Sequence, residues 1–202
     1  MKLVVNTFVT LDGVMQAPGG PDEDREGGFP YGGWSVPFFD DVMGKTVFDS
    51  MARASAFLLG RKTYDIFAAY WPNPAAPEDQ ELAGILNPRP KHVASTTLAK
   101  PGWQNTFVIQ GDVVDAVRRL KEQPGEELNV QGSSRLLQSI HGLVDEYRLW
   151  ICPVHLGAGK RLFDSGSPAA GLELVGTKTN SRGAIYAVYR PTGSPKTGMM
   201  GA

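Results

Sequence analysis

Hydrophobic positions along this chain fall into two alternating rhythms. Short apolar or β-branched runs at 3–9, 56–59, 92–95, 106–109, 128–131, 147–154, 172–178 and 184–189 read as strands. Between them the spacing widens to three and four. Phe38, Phe39, Val42, Met43, Val47, Phe48 and Met51 predict a helix within 36–54. A second runs over 62–70 and stops before Trp71 and Pro72. Asp112 caps a third, with Val113, Val117 and Leu120 on one face and Pro124-Gly125 beyond its end. Leu136, Leu137 and Ile140 begin a fourth that closes at Gly142. The Pro-rich stretch 72–90 has room for a short helical turn around 80–86.

Eight strands and four substantial helices alternate through the middle of the chain, which predicts an α/β fold with a mostly parallel sheet and helices on both faces. The last two strands, joined through Asn180-Ser181-Arg182-Gly183, add an antiparallel hairpin. One domain is expected over 1–190, with 191–202 a disordered Gly/Pro-rich tail. Residues 14–33, rich in Gly, Pro, Asp and Glu, form a loop of a length usually reserved for function or disorder.

Composition then narrows the partners. A formal net charge of −1 argues against a nucleic-acid or membrane-surface binder that works through bulk charge. The single cysteine, Cys152, excludes a disulfide framework, and His92, His141 and His155 lack metal-ligand spacing, so no metal is expected. No apolar run approaches a membrane span, and Met1–Val9 is interrupted too soon for a signal peptide. A soluble, cytoplasmic protein is expected.

Candidate chemistry gathers at strand ends. Gln131-Gly132-Ser133-Ser134-Arg135-Leu136 reads as strand, tight turn and helix start, where free N–H groups and the helix dipole favour an anion. An ordinary serine-capped connection is the plain alternative. Leu59-Gly60-Arg61-Lys62-Thr63 repeats the pattern with two cations, which oppose the helix dipole unless an anion or acidic partner compensates. Ser95 and Thr96 add hydroxyls at a third strand end. All three should lie on the carboxyl edge of the parallel sheet, where open α/β proteins bind nucleotides.

In that order, with Thr10-Leu11-Asp12-Gly13 after the first strand, these motifs resemble the dihydrofolate reductase superfamily. The likeness covers roughly residues 2 to 190. Together with Pro153-Val154-His155-Leu156-Gly157-Ala158-Gly159-Lys160, the chain is similar to the branch of the C-terminal reductase domain of riboflavin-biosynthesis deaminase–reductases. The resemblance implies the fold of that superfamily, NADPH as cofactor, and hydride transfer to a pteridine- or pyrimidine-like heterocycle. It implies that Gly60, Arg61, Lys62 and Thr63 hold the pyrophosphate and 2′-phosphate, that Ser95 and Thr96 contact the adenosine side, and that Gly132, Ser133, Ser134, Arg135 and Leu136 cradle the pyrophosphate. Thr10 and Asp12 would lie near the nicotinamide and the substrate mouth, with substrate contacts at Trp34, Pro153, Gly157 and Gly159. The family habit, with exposed aromatics, points to a homodimer.

The proton donor departs from the pattern. Folate reductases place a carboxylate two residues after the proline of Trp-x-x-Pro. Here Trp34-Ser35-Val36-Pro37-Phe38-Phe39-Asp40-Asp41 brings the acid one or two residues late. Asp12, Asp40 and Asp41 are the candidate catalytic acids, against the plain reading that Asp40 and Asp41 decorate a helix start. The expected activity is NADPH-dependent reduction of a small heterocycle. The alternatives are reduction of the ribosylaminopyrimidine of riboflavin synthesis and NADP(H) binding without turnover.

Overall fold

The computed structural model describes residues 1–200. Eight strands form one sheet: β1 (Lys2–Thr10), β2 (Ala54–Gly60), β3 (Lys91–Ala94), β4 (Thr106–Ile109), β5 (Glu127–Gln131), β6 (Glu146–Cys152), β7 (Gly171–Thr179) and β8 (Ile185–Gly193). Their order is β4-β3-β2-β5-β1-β6-β8-β7. The first six run parallel, and β8 and β7 close the sheet as an antiparallel hairpin. The expected mostly parallel α/β architecture is the one adopted.

The central strands are covered on both sides, which is why they read as nearly unbroken apolar runs. Leu3, Val5 and Val9 of β1 pack with Leu128 and Val130 against α4 (Val113–Glu122) and α5 (Ser134–Ile140) through Val117, Leu120, Leu136, Leu137 and Ile140. On the opposite face lie α1 (Asp41–Ala52), α2 (Arg61–Tyr70) and α3 (Gln80–Leu86), which bring Met51, Tyr64 and Leu86 onto Phe57, Leu59 and Val93. Phe8 and Trp150 meet Met43 and Trp34 on that same face.

Two local expectations are corrected, at the start of α1 and the end of β8, and the one at 80–86 is borne out. The helix foreseen from Val36 starts at Asp41, because Val36–Phe38 is a separate 3-10 turn and Phe39 and Asp40 are extended. The turn foreseen around 80–86 is a complete helix, α3, whose end is held by a buried lysine outside it. Lys91 Nζ donates to the carbonyls of Leu86, Asn87 and Arg89 at 2.9, 3.0 and 2.9 Å and lies 4.3 Å from the Trp103 ring centre. Such cations satisfy orphan carbonyls at a helix end. Burial pushes Lys91 down to about 8, so it remains charged at neutral pH. Finally, β8 continues to Gly193, with Pro191 opposite Leu172, so the strand enters the stretch assigned to the tail. β6 pairing ends at Tyr189, which leaves Pro191 bordering β7 alone, a position where a missing N–H is tolerated.

A charge network sits at the amino ends of β5 and β6. Arg148 binds Glu127 through two bonds of 2.8 and 2.7 Å and Glu146 through Nε at 2.7 Å. Arg190 adds two bonds of 3.1 Å to Glu146, and Arg53 reaches Glu127 at 3.3 Å. Among the described residues no helix is long and apolar enough to cross a membrane.

Candidate cofactor and substrate cleft

The carboxyl ends of β2, β3 and β5 open onto one cavity of about 910 Å³. Its other walls are the 14–33 loop and the side of α1 bearing Thr46, Val47 and Ser50. The parallel order of these strands puts their following turns on one rim.

At that rim two turns are joined by a single hydroxyl. Gly132 and Ser133 have consecutive positive φ angles of 53° and 66°, a left-handed turn in which the Gly132 N–H donates to Asn6 O at 3.3 Å. The Ser133 Oγ accepts the Gly60 N–H at 2.9 Å and lies 3.0 Å from both Thr63 Oγ1 and Gln131 O. It is therefore engaged between the turns. A Cβ on Gly60 would sit 3.4 Å from Ser133 Cβ, so glycine allows the close approach. Neither α2 nor α5 has a side-chain cap, leaving their first N–H groups to solvent or a ligand.

The cations at the rim have found acids. Arg61 Nε lies 2.9 Å from both oxygens of Asp65, and its Nη1 donates to Thr97 Oγ1 at 3.0 Å. Arg135 pairs with Glu26, Lys160 binds Asp24 and Glu26 at 2.6 Å each, and Lys62 lies 3.9 Å from Asp24. The acidic part of the 14–33 loop is thus laid across the cradle. It supplies Asp24 to Lys62, while Arg61 is compensated within α2 by Asp65.

Of the expected cofactor residues, Gly60, Arg61, Lys62, Thr63, Ser95, Thr96, Gly132, Ser133, Ser134, Arg135 and Leu136 all line this cavity. Thr10 does not. It is buried, and its hydroxyl donates to Asp12 Oδ1 at 2.6 Å.

The acids chosen as catalytic are placed elsewhere. Asp12 accepts the N–H groups of Leu156 and Gly157 at 3.2 and 2.9 Å and pairs with Arg161. Burial alone would raise its pKa, but the Thr10 hydroxyl and these backbone donors outweigh it and hold the carboxyl far below its usual range. Asp40 caps α1 by accepting Met43 N–H at 3.0 Å and also accepts from Ser181, which holds it at about 2. Asp41 is exposed on the first turn of α1, where its charge complements the dipole. None of the three lines the cavity, and the anionic state of Asp12 and Asp40 makes each a poor proton donor.

The expected substrate contacts also lie outside. Trp34 is a core residue whose Nε1 donates to Gln16 O at 2.7 Å. Pro153, Gly157 and Gly159 belong to the loop after β6, where a Cβ on Gly159 would meet Val14 Cγ1 at 2.7 Å. That loop braces the 14–33 segment: Lys160 N–H donates to Gln16 Oε1 at 3.0 Å.

Sequence reasoning missed the cavity floor. Asn6, Phe8, Arg148, Trp150 and Tyr186 line it from β1, β6 and β8, facing Thr46 and Ser50 of α1. A polar residue in the middle of an apolar strand, Asn6, was the available signal. Glu23 was missed as well. Its carboxylate accepts Gly19 and Gly20 N–H at 2.6 and 3.2 Å, yet burial raises its pKa.

Residues 1–186 match the family described as the RibD C-terminal domain. An uncharacterized Bacillus subtilis protein, YyaP, is 31% identical over 195 residues, covering 95% of this chain and 96% of its own. A putative riboflavin biosynthesis protein from Shewanella sp. PV-4 shares the fold with a TM-score of 0.66 at 20% identity, covering 95% of this chain and 99% of its own. Dihydrofolate reductase from Enterococcus faecalis, solved with NADP(H) and RAB-propyl, shares it with a TM-score of 0.62 at 12% identity, covering 95% and 96%. The expected superfamily fold is confirmed.

Proposed function

This chain belongs to the RibD C-terminal domain family, of reductase type, and from that premise we propose that it is an NADPH-dependent reductase of a small pteridine- or pyrimidine-like heterocycle. One observation carries the reading: three strand ends bring two uncapped helix starts, a pair of left-handed residues and the cations Arg61, Lys62 and Arg135 to a single cavity. That donor set fits a dinucleotide carrying a pyrophosphate and an extra phosphate. Bound there, NADPH would supply a hydride. The protein's part is to hold the phosphates with the Gly60 and Gly132 turns, to shelter the reacting ring between the 14–33 loop and the floor, and to deliver a proton.

For the phosphate end, Arg61→Ala is expected to weaken NADPH by about 10- to 100-fold while NADH changes little, since one charge-assisted bond contributes roughly 1.5–3 kcal/mol. Fluorescence titration of both cofactors reads the difference. Equal losses would remove the 2′-phosphate assignment.

Glu23 is the proposed proton source in place of Asp40, because its half-buried carboxyl lines the cavity with a raised pKa. A Glu23→Gln enzyme should lose the fall in kcat that accompanies Glu23 deprotonation as pH rises, and turn over more slowly. An unchanged profile would transfer the role to water.

A further inference from the structure

We propose that Asp40, set aside above as a proton donor, is a positioning residue of the heterocycle site. With Asn180 and Ser181 it clamps the start of α1 to the β7–β8 hairpin, and so holds the width of the cleft between that helix and the sheet. What the cleft receives rests on the reductase reading, whereas the clamp is a matter of contacts within this chain.

Asp40 is saturated from two sides. Its Oδ1 accepts the Met43 N–H at 3.0 Å and lies 3.3 Å from Asn180 Nδ2. Its Oδ2 accepts both the N–H and the hydroxyl of Ser181, at 2.9 and 2.7 Å. Four donors, one from the helix and three from the hairpin turn, meet one side chain. Only a carboxylate, an acceptor at every lone pair, receives them all. A helix start needs just the Met43 bond, so capping alone does not account for the other three.

The hairpin side of the clamp is stiff. Asn180 is buried, and its Oδ1 accepts the N–H groups of Arg182 and Ala184 at 3.1 and 2.8 Å, which closes the turn on itself. Its Nδ2 donates to Phe38 O at 2.7 Å, just ahead of Asp40. Ala184 packs in one buried cluster with Trp34, Met43 and Trp150. Two positions on, Tyr186 lines the cavity floor. One hairpin thus carries part of the floor and grips the wall that faces it.

Polar contacts hold α1 at its two ends and not between them. At the far end the Ser50 hydroxyl donates to Asn6 Oδ1 and receives Arg148 Nη1 at 3.5 Å. Asn129 Nδ2 reaches Ser50 O at 3.3 Å, and Arg89 binds the carbonyls of Met51 and Ala52 at 3.4 and 2.8 Å. In the middle, Thr46 and Val47 line the cavity, and the Thr46 hydroxyl donates to Val42 O of its own helix. A helix of 12 residues is about 18 Å long, so freeing its start swings the lining residues while the other end stays pinned. A misplacement near 1 Å at a reacting ring can cost about 100-fold. Phe39 also lines the cavity, and it sits between the Phe38 carbonyl and the Asp40 carboxylate that the hairpin holds.

The dinucleotide cradle is built from other parts. Its turns after β2 and β5 are tied to each other through Ser133, and the bonds that tie them involve no residue of the clamp. The two sites should therefore respond differently when the clamp is opened.

The test opens the clamp from each side in the full chain. Ser181→Ala removes a hairpin bond and keeps the cap, while Asp40→Asn keeps a side chain that caps helices equally well and removes an acceptor. Ser55→Ala is the control, since its hydroxyl accepts the Glu126 N–H at 2.8 Å away from the cavity. Hydrogen exchange over residues 41–49 should speed about tenfold in both clamp variants and change little over α2 and α5. Pterin, titrated by tryptophan quenching with and without NADP⁺, should bind about five- to tenfold more weakly to both, with NADPH affinity within about twofold. Ser181→Thr, which restores the hydroxyl, should recover pterin binding, and Ser55→Ala should move neither ligand. Unchanged exchange in α1 overturns the proposal. So do equal losses for pterin and NADPH, the mark of general loosening. Should the unsubstituted protein bind NADPH and not pterin, the exchange over α1 decides by itself: faster upholds the clamp, unchanged overturns it. A protein that binds neither NADP⁺ nor NADPH overturns the reductase reading, and faster α1 exchange in its variants still upholds the clamp.

Discussion

The two ends of the central strands treat charge in opposite ways. At the amino ends, Arg148, Glu127 and Glu146 are all on strands and buried, with short bonds between them. At the carboxyl ends, Arg61 pairs with Asp65 of its own helix, Lys62, Lys160 and Arg135 pair with Asp24 and Glu26, which ride on a loop, and the Arg135 and Glu26 side chains are 80% and 42% exposed. A buried pair cannot lose one member without leaving a charge stranded, whereas an exposed one exchanges partners at little cost. The contrast separates a part that holds the sheet together from a part whose counter-charges an anionic ligand can replace.

The contrast breaks most severely at the base. Glu127→Gln should destabilise the protein by about 3 kcal/mol, read from its urea midpoint, because Arg148 keeps Glu146 but loses its bidentate partner. Dinucleotide affinity of the folded protein should hold. A midpoint shift too small to measure would make the network decorative.

Acid should weaken the same region next. Burial alone would raise the Glu146 pKa, but Arg148 and Arg190 outweigh it and hold the carboxyl below its ordinary value of 4.5. A carboxylate depressed in the folded state contributes stability that is complete above the unfolded value and is lost as pH falls through the folded one. Unfolding free energy should therefore drop below about pH 4.5, and Glu146→Gln should flatten that limb. A limb of unchanged slope would assign acid sensitivity to other groups.

The smallest effect is expected at the rim. Glu26→Gln frees Arg135 and loosens Lys160 without touching a buried group. The melting temperature should stay put, while NADPH binds about two- to fivefold more tightly and with a steeper salt dependence. Weaker binding would mean that the loop positions the cations, and does not compete for them.

The cradle was legible because its signals are local. A glycine followed by hydroxyls and cations between an apolar run and a helical rhythm fixes its own geometry, as at Gly60-Arg61-Lys62-Thr63 and Gly132-Ser133-Ser134-Arg135. The acids were not, because their partners come from far along the chain. Asp12 is claimed by the backbone of Leu156 and Gly157, and Asp40 by Ser181. Spacing near a strand end or helix start shows a carboxylate but not who binds it. The floor lies between these cases. Asn6 was visible as a polar interruption, but the relay through Ser50 that orients it needs α1 docked on the sheet. The boundary of α1 failed for a similar reason, since apolar spacing continues through Phe38 and Phe39 although the backbone there is extended.

The hydroxyl of Ser133 has a consequence for how a ligand is met. Because it ties the turn after β2 to the turn after β5, the two grips arrive already assembled, and a dinucleotide need not gather them from separate motions. Ordering that has been done during folding is not charged to binding. Removing one oxygen atom there would leave both turns standing and let each tremble independently of the other.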